Sequence, residues 1–587
     1  MAKVSSLIQF LGLTTLSLAW SHTHCKAAPG SPFWPSDIEW SQLNTTLSGR
    51  LLAPSPPGAV CHPTQPDFNV LSCLAVQTGW LTSSWHADNP VSTIENNWNN
   101  DTCIPLPTYP CTGEGYPVYV VNATCANDVK LGVDFARENG VRLVVKGTGH
   151  DYLGRSVAPN SLSIWTHHLR GLDFHDSFRP QGCSPSFEIE GPAITAASGT
   201  QMLELDYEAH LRNLTIVGGG AGTVGVGGYL TGGGHSALSS TYGMAADQVL
   251  EIEIVTPGGD ILIANECQHT DLFWAVRGGG GSTFGVLTSV TIKAFPSTQF
   301  NTVTALIATA PGTDAYWSVI ANILSQFPSL DELGISAYTF IVTSFMSADF
   351  NITSPIDGYY GIFMLPGLHP ENTSTSLEAA VKQVFADATA SYPGQFVTYT
   401  NATSYPDFWG YYEPNNGPLS AGNDGLLGSR LLDKKALTEN LTALAEAFKT
   451  ASPLGIGAQA YLVGGRGVQN AKPRGGSNAV NSAWRKAFVH SVISVGWNPL
   501  DEKTKEEQEA LLNGTYTEAL RKLAPDMGAY INEAYVNEPD WQHTFWGDNY
   551  ERLLEIKKKY DPWDVLWCHP CVGSEGWEVV DNVLCRV

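Results

Sequence analysis

The sequence predicts an α+β protein of more than one domain, on three observations. At 587 residues the chain is longer than one hydrophobic core organises. Its composition changes near Pro296. Beyond that point strand-like runs alternate with helical ones, the pattern of a largely antiparallel sheet covered by helices. With 43% hydrophobic and 10% aromatic residues there is ample material for packed interiors. The formal charge of −24 excludes a nucleic-acid partner, whose phosphates require a basic face, and equally disfavours anionic membrane surfaces.

The first residues have the layout of a secretory signal peptide. Lys3 precedes an apolar run from Leu7 to Trp20, and small residues follow at Cys25-Lys26-Ala27. The run is too short to span a bilayer. Residues 1–27 are therefore expected to be removed, leaving a soluble, extracellular monomer with no membrane partner. Of the eleven cysteines, cleavage after Ala27 removes Cys25 and leaves an even number, suited to disulfides. Sequons at Asn44, Asn100, Asn122, Asn213, Asn351, Asn372, Asn401, Asn440 and Asn513 agree with export as a glycoprotein. Cys568-His-Pro-Cys571 lies after Tyr-Asp-Pro near the end of the chain, where a structural bridge is expected rather than a redox pair. His167-His168 reads as a loop pair; no second Cys pair has zinc spacing, and no metal is expected.

Residues 28–115 are Pro-rich and Cys-bearing, an irregular disulfide-tied lead-in. Asn127-Asp128 can cap a helix carrying Val129, Val133 and Ala136 on one face, stopped by Asn139-Gly140. Residues 141–145 form a buried-type strand that runs into the loop Lys146-Gly-Thr-Gly-His-Asp-Tyr-Leu-Gly154, able to present amides to a phosphate. Strands are expected at 187–190, 193–197, 250–255 and 284–295, with short helices at 202–211 and 271–277. In the next region strands at 303–309, 335–344 and 358–365 alternate with helices at 376–386 and 435–449. A charged amphipathic helix at 549–560 is closed by Asp561-Pro562.

Residues 216–235 hold ten glycines and contain Gly220-Ala-Gly222-Thr-Val-Gly225, a literal G-x-G-x-x-G, with Asp247 downstream at ribose-holding distance. A dinucleotide fold needs a helix to begin within that motif. After Gly225 the chain continues Val-Gly-Gly-Tyr-Leu-Thr-Gly-Gly-Gly, and those glycines would cost a helix about 5 kcal/mol, so no helix is expected there. What the glycines allow instead is close approach of bare backbone to a large flat or anionic ligand. Val224, Val226, Tyr229 and Leu230 interleaved among them argue against a flexible linker.

Four segments together resemble the vanillyl-alcohol-oxidase-type flavoproteins with a PCMH-type FAD-binding domain, in their berberine-bridge-enzyme-like branch, and most closely the secreted fungal isoamyl-alcohol-oxidase-like enzymes. They are Val144 to Ser156, Gly219 to Gly228 continued by Gly232-Gly233-Gly234, Asp271 to Gly285, and Tyr530-Ile-Asn532 with Asn549 to Leu553 and Lys559 to Pro562. The resemblance implies a two-part FAD-binding domain (116–298 and 506–587) around an inserted substrate domain (299–505). It implies FAD held by Lys146, Gly147, Thr148, Gly149, Asp151, Gly154, Arg155 and Ser156. Gly220, Ala221, Gly222, Thr223, Gly225, Gly228, Gly232, Gly233, Gly234, Asp247 and Asn532 complete the expected cradle. His150 is implied as the covalent tether. Ala221 stands where bicovalent members carry a cysteine, so a single link through His150 is implied. Val224 occupies the family's oxygen-gating position, where valine is similar to the oxidases.

The implied reaction is removal of hydride from an alcohol carbon to flavin N5, with O₂ reduced to H₂O₂, on a small alcohol or hydroxylated secondary metabolite. A carbohydrate oxidase, an oxidative cyclase or desaturase, and a catalytically silent secreted glycoprotein are the alternatives. Tyr530 and Asn532 are expected near the flavin. His490 is a candidate base on an alternating strand that aims Phe488, His490 and Val492 to one face; Tyr461, Arg485 and Glu533 are further candidates.

Overall fold

The computed structural model describes residues 25–187, 191–347, 352–452 and 454–587. The expected signal segment up to residue 24, most of the strand expected at 187–190, and Asn351 lie outside the described residues. Within them the α+β expectation holds, on three sheets of four or more strands.

The first sheet is mixed, in the order Leu51–Leu52, Tyr119–Asn122, Ser161–Trp165, Arg142–Lys146. The last three strands are parallel to one another. Parallel strands need a crossover, and helix Ala126–Asn139 supplies it. It buries Val129, Val133 and Ala136, the face the sequence indicated, and ends at Gly140, whose φ of 63° is left-handed. Its start differs from expectation. Cys125 holds the cap position, and Asp128 sits in the first turn, accepting from the Thr124 amide at 2.9 Å and pairing with Arg50.

Five antiparallel strands make the second sheet, in the order Leu172–His175, Ala193–Ala197, Val286–Lys293, Val249–Val255, Ile261–Asn265. On the chain between Ala197 and Val249 one expectation is overturned: a short helix, Val226–Thr231, starts directly after Gly225. Only two of the downstream glycines fall inside it. Val226, Tyr229 and Leu230 are buried. At roughly 1.5–3 kcal/mol per buried side chain, that outweighs about 1 kcal/mol per interior glycine.

The inserted region carries the third sheet, seven antiparallel strands ordered Val397–Tyr405, Phe300–Thr309, Ile352–Pro366, Ser336–Ser347, Gly455–Leu462, Ala487–Trp497, Asp424–Asp433. Helices Tyr316–Ser325, Ser374–Thr389 and Leu441–Ala451 share its core through Val319, Ile323, Leu377, Val381, Leu444 and Phe448. The single helix expected at 435–449 is two, Lys434–Thr438 and Leu441–Ala451, because the Asn440 side chain caps the second at the Ala443 amide. Tyr338, Tyr461 and His490 lie side by side across three strands of this sheet.

Disulfides join Cys61–Cys73, Cys103–Cys111, Cys183–Cys267 and Cys568–Cys571, the last as expected. Cys25 bonds to Cys585, and the Lys26 and Ala27 amides donate to Leu584 and Gly140. The boundary drawn after Ala27 therefore falls inside the folded chain, and the free cysteine is Cys125. Among the described residues no helix is long and apolar enough to cross a membrane.

Candidate active site

A cavity of about 600 Å³ lies between the glycine-bearing segments and the seven-stranded sheet. One wall is nearly all backbone and small side chains. Gly147, Thr148, Gly149, His150, Asp151, Arg155 and Ser156 come from the loop after Arg142–Lys146; Gly219, Gly220, Ala221, Val224, Gly225 and Gly228 come from the second segment; Gly281, Ser282 and Gly285 from the third. Gly149 has a φ of 81°, and a Cβ there would stand 2.9 Å from the Ser92 carbonyl oxygen, so only glycine fits the turn.

His150 is fixed from behind. Its Nε2 lies 2.6 Å from Thr223 Oγ1, which lies 2.8 Å from Ser83 Oγ in the lead-in. Burial, with Lys146 and His86 nearby, lowers the imidazole to about 3, so it is neutral. Lys146 itself is buried behind the loop, donating to the His86 carbonyl at 3.1 Å, and burial lowers it to about 7. Gly154 packs on Trp98, Gly222 on the Asn416 backbone, and Gly232 on Asn532; the Gly234 amide donates to the Tyr530 hydroxyl at 3.2 Å. With Thr223 and Gly233 they support the wall rather than form it. Asp247 is a correction: its carboxylate is taken by Arg485, Asn478 and the Met244 amide, and it does not line the cavity. The G-x-G-x-x-G spacing suggested a ribose, but tertiary partners distant in sequence decide its role. Arg485, committed to Asp247, is likewise excluded as a base.

The wall suits FAD. Arg155 Nη1, Ser156 Oγ and Ser198 Oγ are buried without hydrogen-bond partners among the described residues, and all three residues line the cavity. Buried donors are rarely left unsatisfied, so these are set to meet the oxygens of an anionic ligand. Arg155 also donates to Asn532 Oδ1 at 3.1 Å and pairs with Asp151, which ties the C-terminal segment to the first loop.

The opposite wall carries aromatic and titratable side chains. Tyr338, Tyr461, Val492 and Gln459 project from the sheet, and Tyr530, Asn532 and Glu533 come from the C-terminal segment. His235 Nε2 lies 3.1 Å from Glu533 Oε1, and His490 Nε2 lies 2.9 Å from Glu533 Oε2. Burial pushes the Glu533 carboxyl up, but the two imidazoles outweigh it and hold the group far below the carboxylate range. Burial raises the Tyr530 phenol, so at neutral pH it is a donor and not a base. The ligand atoms of His235, His490 and Glu533 lie within 4.8 Å of one another. A metal-bound Nε2 would, however, put a proton on His490 Nδ1, which has no hydrogen-bond partner among the described residues; the group reads as a hydrogen-bonded triad.

At the far end Glu95 lines the cavity, and burial raises it to about 8. The folded protein binds this proton more tightly than the unfolded chain does, so stability falls as pH rises from near 4.5 to about 8. Glu95→Gln should flatten that decline in denaturant melts run across this range; an unchanged pH slope would rule Glu95 out as its source.

A model described as an FAD binding domain matches residues 117–265, and one described as berberine and berberine like matches residues 529–573. The chain is 37% identical, over 100% of its length and 99% of the other, to an FAD-linked oxidoreductase of Arthroderma benhamiae. The chain belongs to the FAD-linked oxidoreductases of the vanillyl-alcohol-oxidase type. This oxidoreductase is also 32% identical to a VAO-type flavoprotein oxidase of Thermothelomyces thermophilus, covering 99% of this chain and 100% of that one. A crystal structure of a VAO-type flavoprotein from Myceliophthora thermophila C1 superposes with a TM-score of 0.87 at 30% identity, covering 96% and 100% of the two chains.

Sequence reasoning placed Tyr530, Asn532, Val224 and most of the first loop on the oxidoreductase's cavity wall, and found His490 and Glu533, although His490 is fully buried behind it. It missed His235, Tyr338, Gln459 and Glu95. For His235 a signal existed: it closes the glycine stretch, directly after Gly234.

Proposed function

We propose that this oxidoreductase is a secreted, monomeric FAD oxidase that converts an alcohol to a carbonyl compound. Its FAD is tethered through His150 alone, and dioxygen is the electron acceptor, giving hydrogen peroxide. The observation that carries this reading is a neutral, buried His150 on a backbone wall whose other segment offers Ala221 and no cysteine. FAD, when bound, supplies the acceptor for the electron pair removed from the substrate carbon. The protein's own contribution is to present amides and the free Arg155, Ser156 and Ser198 donors to the cofactor and to place a substrate between it and the aromatic wall. Tyr338, Tyr461 and Val492 favour a small alcohol or a hydroxylated metabolite with an apolar or aromatic body. Val224 on the same wall supports access for dioxygen. The disulfides support maturation in an oxidising compartment.

The test is direct. Purified protein is expected to be yellow and to keep flavin fluorescence in the band after SDS denaturation, and His150→Ala to lose it. Flavin that washes out of unfolded wild type, or fluorescence that survives in His150→Ala, would refute the tether. Val224→Leu should slow reoxidation of reduced enzyme in air by stopped flow; equal rates would remove the oxygen-access argument. A peroxide-coupled screen of alcohols, sugars and phenolic metabolites identifies the substrate class.

A further inference from the structure

Within the reading above, which it rests on, an alcohol oxidase needs a group that takes the hydroxyl proton. Four kinds of side chain lie at or directly behind that region: the histidines 235 and 490, Glu533, the tyrosines 338, 461 and 530, and Asn532. Hydrogen-bond bookkeeping separates them. Glu533 is ionised, and a carboxylate only accepts, so both neighbouring imidazoles present Nε2–H to it. In the neutral form of such a ring the lone pair sits on Nδ1. His490 is fully buried, does not line the cavity, and its Nδ1 meets no partner among the described residues. His235 does line the cavity, and its Nδ1 faces the Tyr338 hydroxyl at 3.3 Å. Burial raises the phenols of Tyr338 and Tyr530, and also that of Tyr461, whose hydroxyl donates to Gln459 Oε1. None of these tyrosines is ionised at neutral pH. Glu533 has both oxygens occupied and holds its charge too firmly to take a proton.

We infer that His235 Nδ1 is the proton acceptor of the reaction, with Glu533 as the positioning residue that fixes its tautomer and His490 as the second clamp on that carboxylate. The arrangement is that of an imidazole backed by a carboxylate, its other nitrogen lying beside the Tyr338 hydroxyl on a residue that lines the cavity. In the step, the substrate O–H bond breaks and its proton moves to His235 Nδ1, forming an imidazolium paired with Glu533. The electron pair left on oxygen becomes the second C–O bond, and FAD, when bound, would supply the acceptor for the carbinol hydrogen and its pair. Dioxygen takes up that hydrogen and pair together with the proton released from His235, giving one hydrogen peroxide per carbonyl formed.

The test does not depend on knowing the alcohol. The probe is 4-nitrophenol, whose hydroxyl changes colour on losing its proton, titrated with the flavin-loaded enzyme across pH. In wild type the bound phenol is expected to ionise at least about 10-fold more readily than free in solution, a midpoint lowered by about one pH unit. His235→Ala should abolish that shift while the probe still binds. Glu533→Gln should shrink it, because an amide cannot favour the imidazolium, and Glu533→Asp should restore part of it. A wild-type midpoint equal to that in solution, an unchanged shift in His235→Ala, or no binding of the phenol in the cavity would overturn the assignment. None of these outcomes bears on the His150 tether, which is judged from the denatured band. With an alcohol that is turned over, His235→Ala should lower kcat by about 10²–10⁴-fold.

Discussion

Replacing Asp561 with alanine is expected to destabilise the protein by about 3–5 kcal/mol, because it leaves a buried ammonium without its counter-charge. Lys557 and Asp561, one helical turn apart, meet at 2.6 Å with side chains 4% and 0% exposed. The same carboxylate accepts the Val565 amide at 2.8 Å and the Leu566 amide at 2.9 Å, while Lys557 Nζ donates to the carbonyls of Thr283 and Leu566. The pair therefore ties the chain after helix Tyr550–Tyr560 to the third glycine segment of the cavity wall. Removing one partner strands a charge and two amides together. Adding Lys557→Met to Asp561→Ala removes the stranded charge and should recover much of the loss. Guanidinium unfolding midpoints of wild type, the single variant and the double variant check this. A single variant with an unshifted midpoint, or a double variant worse than the single, would contradict the buried-charge account.

Legibility in the sequence followed the reach of the interaction concerned. Helix Ala126–Asn139 was readable because its apolar spacing and its glycine stop are local. The alternation that put His490 and Val492 on one face of their strand was readable for the same reason, since side chains alternate along any strand. The glycine segments were readable as ligand-hugging backbone because an absent Cβ is visible without knowing the neighbours. Where partners are distant, pattern failed. His235 and Glu533 are 298 residues apart, and His490 and Glu533 are 43 apart, so nothing in spacing brings the three together. Asp247 followed a motif's spacing, whereas Arg485, reaching it from the inserted region, fixes its role. Helix Val226–Thr231 was missed because propensity was summed over glycines that lie beyond its end. Cysteine parity pointed to removal of Cys25, whereas Cys125 is the unpaired one.

Gly228→Leu is expected to yield protein that folds at least as well as wild type and carries almost no FAD. Gly228 lies inside helix Val226–Thr231 and on the cavity wall, and a Cβ built there meets, outside its chain neighbours and its own helix backbone, no atom of the described residues within 4 Å. The protein thus has room for a side chain, and the space it would fill belongs to the cavity. Leucine is a far better helix former than glycine, so the helix gains about 0.5–1 kcal/mol. The cofactor loses a flat backbone surface to a branched side chain. Gly149→Leu provides the contrast: the left-handed φ and the Ser92 carbonyl at 2.9 Å make any side chain there strained, so it should lose stability and cofactor together. Flavin absorbance per protein and the unfolding midpoint, compared with flavin-free wild type grown without riboflavin, separate the two. A Gly228→Leu protein as yellow as wild type would mean that FAD does not rest on this helix. A midpoint below that of the flavin-free wild type would mean that Gly228 serves the fold rather than the ligand.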